Sequence, residues 1–176
     1  MAKETGLVHI YYGDGKGKTT AAFGLAFRCA GRGKRVVIAQ FLKSGGSGEV
    51  MAAGRFPEIT LVRGKAVQKF TFQMDEEEKA QTARDCAALF HEAAALAQSG
   101  DVRLLVLDEV IDACFGFLDV DEVARFLDGR RSGLEVVITG HALPEALAQR
   151  ADYISRVGKE KHPYDQGVMA RPDIEF

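Results

Sequence analysis

A glycine-rich run, set between an apolar segment and a helix-like segment, constrains the fold of this chain more than any other feature. It follows the apolar residues 8–12 and leads into the alanine-rich stretch 21–26. Its members are Gly13, Asp14, Gly15, Lys16, Gly17, Lys18, Thr19 and Thr20. Glycines let successive backbone N–H groups turn toward an anion, and the positive end of the following helix dipole attracts the same charge. The run therefore predicts a phosphate-binding loop and a bound nucleoside triphosphate.

This loop is one residue shorter than the general pattern of phosphate loops. In that pattern a glycine stands five residues before the final glycine, and Tyr12 occupies that position here. The loop also carries a second lysine, Lys16. We expect Lys18 to contact the outer phosphates and the Thr19 hydroxyl to ligate Mg²⁺. The tighter loop should hold the triphosphate differently from an ordinary P-loop ATPase.

Composition excludes several other classes of function. A chain of 176 residues, 47% hydrophobic and 27% charged, predicts one globular domain over residues 1–176. A net charge of -2 gives no basic surface for nucleic acid. No apolar run reaches membrane-spanning length, and the first residues lack the layout of a signal peptide. The three cysteines have no metal-binding spacing and are typical of reduced thiols in a cytoplasmic protein.

Strand and helix patterns alternate along the chain. Strands are predicted at 8–12, 35–41, 58–62, 103–109, 134–139 and 153–157. Helices are predicted at 19–31, 75–98 with Asp75 as the N-cap, 121–127 and 144–149. Residues 43–49 and 63–74 are predicted loops, and the chain beyond 158 is predicted to be irregular. The alternation predicts an α/β three-layer sandwich with a mainly parallel central sheet, the P-loop NTPase (RecA-like) class.

Two acids end one of these strands. Asp108 and Glu109 follow four apolar residues, and parallel topology gathers strand ends at the edge where the phosphate loop lies. A carboxylate at that edge holds Mg²⁺ directly or through water. The pattern does not decide which acid ligates the metal, or whether water is the nucleophile.

Phe70 and Phe72 stand two residues apart in an otherwise polar predicted loop. In an extended segment both rings would lie on the same side. Spacing alone favours two rings that pin the loop to the core, and it also allows an apolar wall for a large, flat ligand.

Taken together, these motifs resemble one family, the P-loop ATP:corrinoid adenosyltransferases of the CobA/BtuR/CobO type. The resemblance covers residues 7–176. It is carried by residues 13–24, 37–43, 48–49, 70–72, 105–109, 137–140, 151–152, 161–162 and Gly167. It implies transfer of the 5′-deoxyadenosyl group of ATP to the cobalt(I) of a reduced corrinoid, with release of triphosphate. The product would be adenosylcobalamin or an adenosylated precursor, and ATP would lie reversed relative to its pose in a kinase.

The resemblance also assigns roles to residues. The phosphate loop, Gly13 to Thr20, would bind the triphosphate, and Thr19 with Asp108 or Glu109 would hold Mg²⁺. Phe70 and Phe72 match an aromatic pair that lies under the corrin ring and displaces its lower axial ligand, which favours the apolar-wall interpretation. Cobalt(II) without that ligand is easier to reduce. The catalytic candidates are Lys18, Phe70, Phe72 and Glu109.

Some positions depart from the family pattern. Asp14 stands where Asn is frequent, Phe72 where the family has Trp, and His141 where Arg is common. Several members carry a longer segment before the first strand, so we expect either that the corrinoid is covered differently here or that its site stays more open. Family members are commonly homodimers, and a homodimer and an electron-donating, flavodoxin-like reductase are the expected partners.

Two other functions stay open on sequence alone. A P-loop ATPase or nucleotide kinase on the same fold would convert ATP to ADP instead of releasing triphosphate. A non-catalytic corrinoid or nucleotide sensor would keep the fold without turnover. The presence of Lys18, Thr19, Asp108 and Glu109 together argues against the sensor.

Overall fold

A six-stranded parallel sheet forms the centre of the molecule. The computed structural model describes residues 5–43, 45–64 and 73–175. The strands are β1 Val8–Tyr12, β2 Arg35–Gln40, β3 Ile59–Arg63, β4 Val102–Asp108, β5 Glu135–Gly140 and β6 Tyr153–Arg156. Their order in the sheet is β3-β2-β4-β5-β1-β6. All pairings among the described strands are parallel, which confirms the predicted mainly parallel sheet.

Helices cover both faces of this sheet. They are α1 Lys18–Ala30, α2 Gly48–Ala53, α3 Glu76–Gln98, α4 Val110–Ala113, α5 Val120–Gly129 and α6 Glu145–Ala148. Successive residues of β2 alternate between two hydrophobic cores. Val36 and Ile38 pack in the core that contains α1, whereas Val37 and Ala39 pack in the core that contains α3 to α6. The three-layer sandwich predicted from the sequence is therefore confirmed.

Local signals explain where the long helices begin. At the start of α3, the Asp75 side chain accepts a hydrogen bond from the Glu78 N–H at 2.8 Å. The Glu78 carboxylate accepts one from the Asp75 N–H at 3.0 Å, which completes the predicted capping box.

Among the described residues, no helix combines the length and apolar character needed to cross a membrane.

Short helices account for the differences from the predicted elements. α2 begins at Gly48, inside the predicted loop 43–49, and α4 follows β4 directly. A 3₁₀ turn at Pro163–Gln166 lies in the chain predicted to be irregular. Segments of four to six residues are too short to show a helical hydrophobic period, so the pattern could not identify them.

Candidate functional site

The glycine-rich loop lies at the edge of the sheet where β1, β5 and β6 end. The Gly13 N–H donates to the Gly140 carbonyl at 3.1 Å, and the Gly15 N–H donates to the Val157 carbonyl at 2.8 Å. Gly13 has φ 120°, and a Cβ there would lie 2.4 Å from the Val157 oxygen. Glycine is therefore required at this position by both backbone conformation and space.

The end of this loop presents free N–H groups to solvent. Gly17, with φ 115°, precedes α1, and no side chain caps the helix. The first N–H groups of a helix have no intrahelical acceptor, and the helix dipole adds positive potential there. The Lys18 ammonium bends back to the Gly15 carbonyl at 2.9 Å. Lys18 is thus held by a neutral partner that an anion can replace.

A cavity of about 290 Å³ opens above the loop. Besides residues 15–20 of the loop and α1, its walls include Gln40, Lys43, Glu49, Arg63, Glu109 and His141. Most of its lining residues are charged, polar or glycine, as a site for a phosphate chain requires. His141 Nδ1 lies 3.1 Å from the carboxylate oxygen Oδ1 of Asp112.

Asp108 is the centre of a buried hydrogen-bond network at the end of β4. Its side chain is fully buried. Thr19 Oγ1 donates to Oδ1 at 3.0 Å and Thr139 Oγ1 donates to the same atom at 2.8 Å. Gln40 Nε2 donates to Oδ2 at 3.1 Å, and the Lys43 ammonium lies 3.3 Å from Oδ2. These contacts satisfy both carboxylate oxygens.

Glu109 turns the chain from β4 into α4. It has φ 63°, an uncommon conformation for a residue with a side chain. Its N–H donates to Thr139 Oγ1 at 2.8 Å, and its Oε1 lies 3.2 Å from Lys43 Nζ. Burial raises the pKa of Glu109, Lys43 opposes that rise, and the charge of Asp108 adds to it.

Lys43 lies among the oxygen atoms that the sequence assigns to Mg²⁺. Its Nζ is 3.0 Å from Thr19 Oγ1, in addition to its contacts with Asp108 and Glu109. Burial alone would lower the pKa of Lys43, but the two carboxylates outweigh it and raise the pKa above its ordinary value. Among the described residues, Gln40 Oε1 is buried without a hydrogen-bond partner at this same site.

The donor set suits a hard divalent cation. No group of three or more His, Cys, Asp or Glu side chains placed to hold a metal occurs among the described residues. Mg²⁺ in nucleotide sites is held by one or two carboxylates and completed by phosphates and water. A hydroxyl with two carboxylates fits that arrangement, and Gln40 Oε1 would accept a hydrogen bond from a water on such a cation.

The far side of the loop contacts the C-terminal segment. Lys16 Nζ lies 2.8 Å from Glu175 Oε1 and donates to the Ile174 carbonyl at 3.1 Å. Arg171 also pairs with the Glu175 carboxylate at 3.1 Å. Asp14, instead of facing the loop lysines, accepts from the Lys159 N–H at 3.2 Å.

The structure brings most of the predicted site residues together. Residues 15–20 and Glu109 line one cavity, and Thr19 joins it to the buried Asp108, whereas Phe70 and Phe72 fall outside the described residues. The residues that sequence reasoning missed are Gln40, Thr139, Lys43 and Glu175. Gln40 and Thr139 are polar residues near the ends of apolar strands, a signal that could have identified them.

Comparison with known proteins identifies the family. Residues 4–176 match the ATP:corrinoid adenosyltransferase BtuR/CobO/CobP family. The chain belongs to this family. It is 31% identical over 175 residues to the corrinoid adenosyltransferase of Pseudomonas aeruginosa, covering 98% of this chain and 85% of the relative. It is 32% identical to the corrinoid adenosyltransferase CobA of Salmonella typhimurium, covering 99% of this chain and 87% of the relative.

A solved structure supports the fold independently. The ATPase EscN of the enteropathogenic E. coli type III secretion system superposes with a TM-score of 0.53 at 16% identity. The match covers 96% of this chain and 46% of EscN, so the chain spans about half of that protein. At this identity the likeness shows the P-loop ATPase fold alone. Both the predicted fold class and the family resemblance are confirmed.

Proposed function

We propose that the chain transfers the 5′-deoxyadenosyl group of ATP to the cobalt(I) of a reduced corrinoid and releases triphosphate. The observation that carries this function is the family match over residues 4–176. ATP and the corrinoid are then both substrates. In the transfer, the cobalt(I) electron pair forms the cobalt–carbon bond with C5′. The C5′–oxygen bond breaks, and its electron pair leaves with triphosphate. Neither an activated water nor a general base is needed.

The phosphate loop is our candidate for the residues that hold the leaving group. We assign triphosphate binding to the loop as a whole, from Gly13 to Thr20, with Asp14 contributing only through its backbone. Charge builds on the triphosphate as the C5′–oxygen bond breaks, so positive groups fixed around it lower the barrier. The uncapped start of α1 and the Lys18 ammonium, held only by a carbonyl, support this role.

We assign the metal position to Thr19, Asp108 and Glu109. Mg²⁺ bound there supplies positive charge to the leaving triphosphate. The fit rests on the oxygen donors, on the Lys43 ammonium that lies 3.0–3.3 Å from all three, and on the unpartnered Gln40 Oε1. Asp108 is buried and Glu109 is partly exposed, so Glu109 is the more accessible of the two to an incoming cation.

Phe70 and Phe72 are our candidates for the corrin-facing wall, and this assignment rests on the family resemblance. Removing the lower axial ligand favours reduction of cobalt(II), for which a flavodoxin-like reductase is the proposed electron donor. The variant Phe72→Ala should keep ATP binding and lose activity most when cobalt(II) must be reduced on the enzyme. Equal losses with prereduced cobalt(I) would contradict this role.

We also propose a cytoplasmic homodimer built from one domain, residues 1–176. The thiols of Cys29, Cys86 and Cys114 are unpaired, as expected in a reducing compartment. Among the described strands β6 pairs with β1 alone, and its residues Tyr153 and Ile154 are 50% and 46% exposed. An exposed edge strand with apolar residues is a surface that proteins usually cover. Light scattering should give twice the mass of one chain, and a monomer mass would refute the dimer.

Identification of the phosphate product tests the function. The protein is incubated anaerobically with MgATP and chemically reduced corrinoid, and the phosphates are separated by ion exchange. One triphosphate for each light-sensitive alkylcobalt formed is the expected result. ADP and phosphate without a cobalt–carbon bond would make the chain a P-loop ATPase instead.

A further inference from the structure

The Lys43 ammonium lies in an environment of the kind that binds a metal ion. A lysine that only stabilised the fold would not need such an environment. The polar contacts of the Lys43 ammonium with described residues are to three oxygen atoms, Thr19 Oγ1, Asp108 Oδ2 and Glu109 Oε1, at 3.0, 3.3 and 3.2 Å. Three oxygens converge on one cation, and each belongs to a residue assigned above to Mg²⁺. The single charge of Lys43 faces two carboxylates, so the cluster retains an excess of negative charge.

A strained backbone conformation places Lys43 beside these oxygen atoms. Leu42 has φ 53°, a left-handed conformation that residues other than glycine rarely adopt. This turn follows the end of β2 and brings the next side chain back over the strand ends. Strained backbone conformations cluster at functional sites. The position of Lys43 is therefore built into the local fold.

A second observation points to a ligand at the same place. Gln40 is 4% exposed and donates from Nε2 to Asp108, while its Oε1 has no partner among the described residues. A buried carbonyl oxygen without a donor is costly unless something binds it. The Lys43 ammonium has three donors, and its Nζ already lies within 3.3 Å of three other oxygens. A hydrated cation would bring the additional donor.

We propose that Lys43 fills the cation position in the nucleotide-free protein, so that a divalent cation enters only together with the nucleotide. An ammonium and a divalent cation repel each other strongly at contact distance, so they cannot share these oxygens. When a triphosphate adds negative charge to the cavity, the ammonium moves to a phosphate oxygen in the cavity that it already lines. This proposal rests on the metal position given under the proposed function.

Binding of Mn²⁺ without nucleotide tests the proposal. Mn²⁺ favours the same oxygen ligands as Mg²⁺ and is followed by electron paramagnetic resonance. The variant Lys43→Met removes the charge at similar length. The matched control is Arg63→Met, which removes another positive charge from the same cavity. The Arg63 guanidinium bonds the Gly45 carbonyl and makes no described contact with the carboxylates.

We expect Lys43→Met to bind Mn²⁺ at least about tenfold more tightly than the wild type, and Arg63→Met to match the wild type. Mn²⁺ should also raise the melting temperature of Lys43→Met and leave that of the wild type unchanged. Lys43→Gln, which keeps hydrogen bonding to the carboxylates, is the second variant if Lys43→Met does not fold. Equal Mn²⁺ affinity in the lysine variants, Arg63→Met and the wild type would overturn the proposal.

A parallel titration separates this proposal from the metal assignment on which it rests. Wild-type protein with ATP should bind Mn²⁺ more tightly than ATP alone does. If the protein with ATP binds Mn²⁺ no more tightly than ATP alone, the assigned metal position is wrong. If it binds Mn²⁺ more tightly while Lys43→Met gains nothing without nucleotide, only the role of Lys43 is wrong. The transferase activity is measured separately and does not enter either comparison.

Discussion

The two sides of the phosphate loop differ in how their charges are held. The inner side, formed by Thr19, Lys43, Asp108 and Glu109, is anchored by the fully buried carboxylate of Asp108. The outer side pairs two exposed cations, Lys16 and Arg171, with the partly exposed carboxylate of Glu175. Both sides pair cations with carboxylates, yet only the inner side is tied to the hydrophobic core through β4.

Because of this difference, we expect the inner side to contribute mainly to stability and the outer side mainly to ligand binding. Breaking a buried ion pair leaves an uncompensated charge away from water, whereas water and salt replace an exposed partner at little cost. Substitutions on the inner side should therefore lower the free energy of unfolding. Substitutions on the outer side should change how tightly an incoming anion binds.

Lys18 lies between the two sides, and its loss should have the largest effect of all. The variant Lys18→Ala removes a charge from the leaving triphosphate, so we expect transfer to fall by about a hundredfold or more, with weaker ATP binding. The unfolding midpoint should stay unchanged because Lys18 bonds only the Gly15 carbonyl in the described structure. Single-turnover kinetics and calorimetry measure both quantities. Lys34→Ala, in an exposed turn, is the control, and wild-type turnover in Lys18→Ala would refute the loop assignment.

Asp108→Asn tests the inner side most severely. The amide removes the charge opposite Lys43 and places donors against Gln40 Nε2. We expect the free energy of unfolding to fall by roughly 3 kcal/mol, measured by urea unfolding. Glu175→Gln on the outer side is the matched control and should not move the midpoint. An equal loss in both variants would abolish the distinction between the sides.

Thr139→Val sharpens the same comparison within the inner side. Thr139 Oγ1 donates to Asp108 and accepts from the Glu109 N–H, so valine leaves both without this partner at nearly constant volume. We expect a loss of roughly 2 kcal/mol in the free energy of unfolding. Thr60→Val, in an exposed position of β3, should stay close to the wild type. A stable Thr139→Val protein would mean that the network is not needed to hold Asp108.

The smallest expected effect concerns the outer side. The Glu175 carboxylate pairs with Lys16 and so competes with an incoming phosphate for this lysine. Glu175→Gln should therefore raise ATP affinity by about twofold to fivefold, within the range of an exposed ion pair. Arg171, then Lys16, hold the pKa of Glu175 well below its ordinary value. Because the pKa of Glu175 is lowered in the folded protein, its carboxylate stays charged at any pH above the ordinary pKa of a glutamate. The contact with Lys16 is lost only when the pH falls through the lowered pKa. The ratio of affinities should therefore be constant from pH 8 to pH 5.5, and a ratio that falls toward 1 within that range would contradict it.

The sequence predicted the features that depend on neighbouring residues. The phosphate loop is a continuous run, and the capping box at Asp75 spans three residues. The acids of β4 follow directly from its apolar run. These local signals, with the alternation of elements, were enough to predict the mainly parallel sheet and its layers.

Features that depend on distant contacts could not be predicted in this way. Glu175 reaches Lys16 across 159 residues, and no pattern marks a terminal glutamate as a partner of the loop. Lys43 reaches the inner side because Leu42 adopts a positive φ, which its residue type does not suggest. The same holds for Glu109, whose left-handed conformation starts the unpredicted α4.

The most direct test of adenosyl transfer follows the carbon atom itself. ATP labelled with ¹³C at C5′ is incubated anaerobically with the protein, Mg²⁺ and chemically reduced corrinoid, and the products are examined by NMR in the dark and after illumination. We predict that the label appears on a cobalt-bound carbon whose signal disappears on illumination. A label that remains in ATP or moves only into ADP would contradict the transferase.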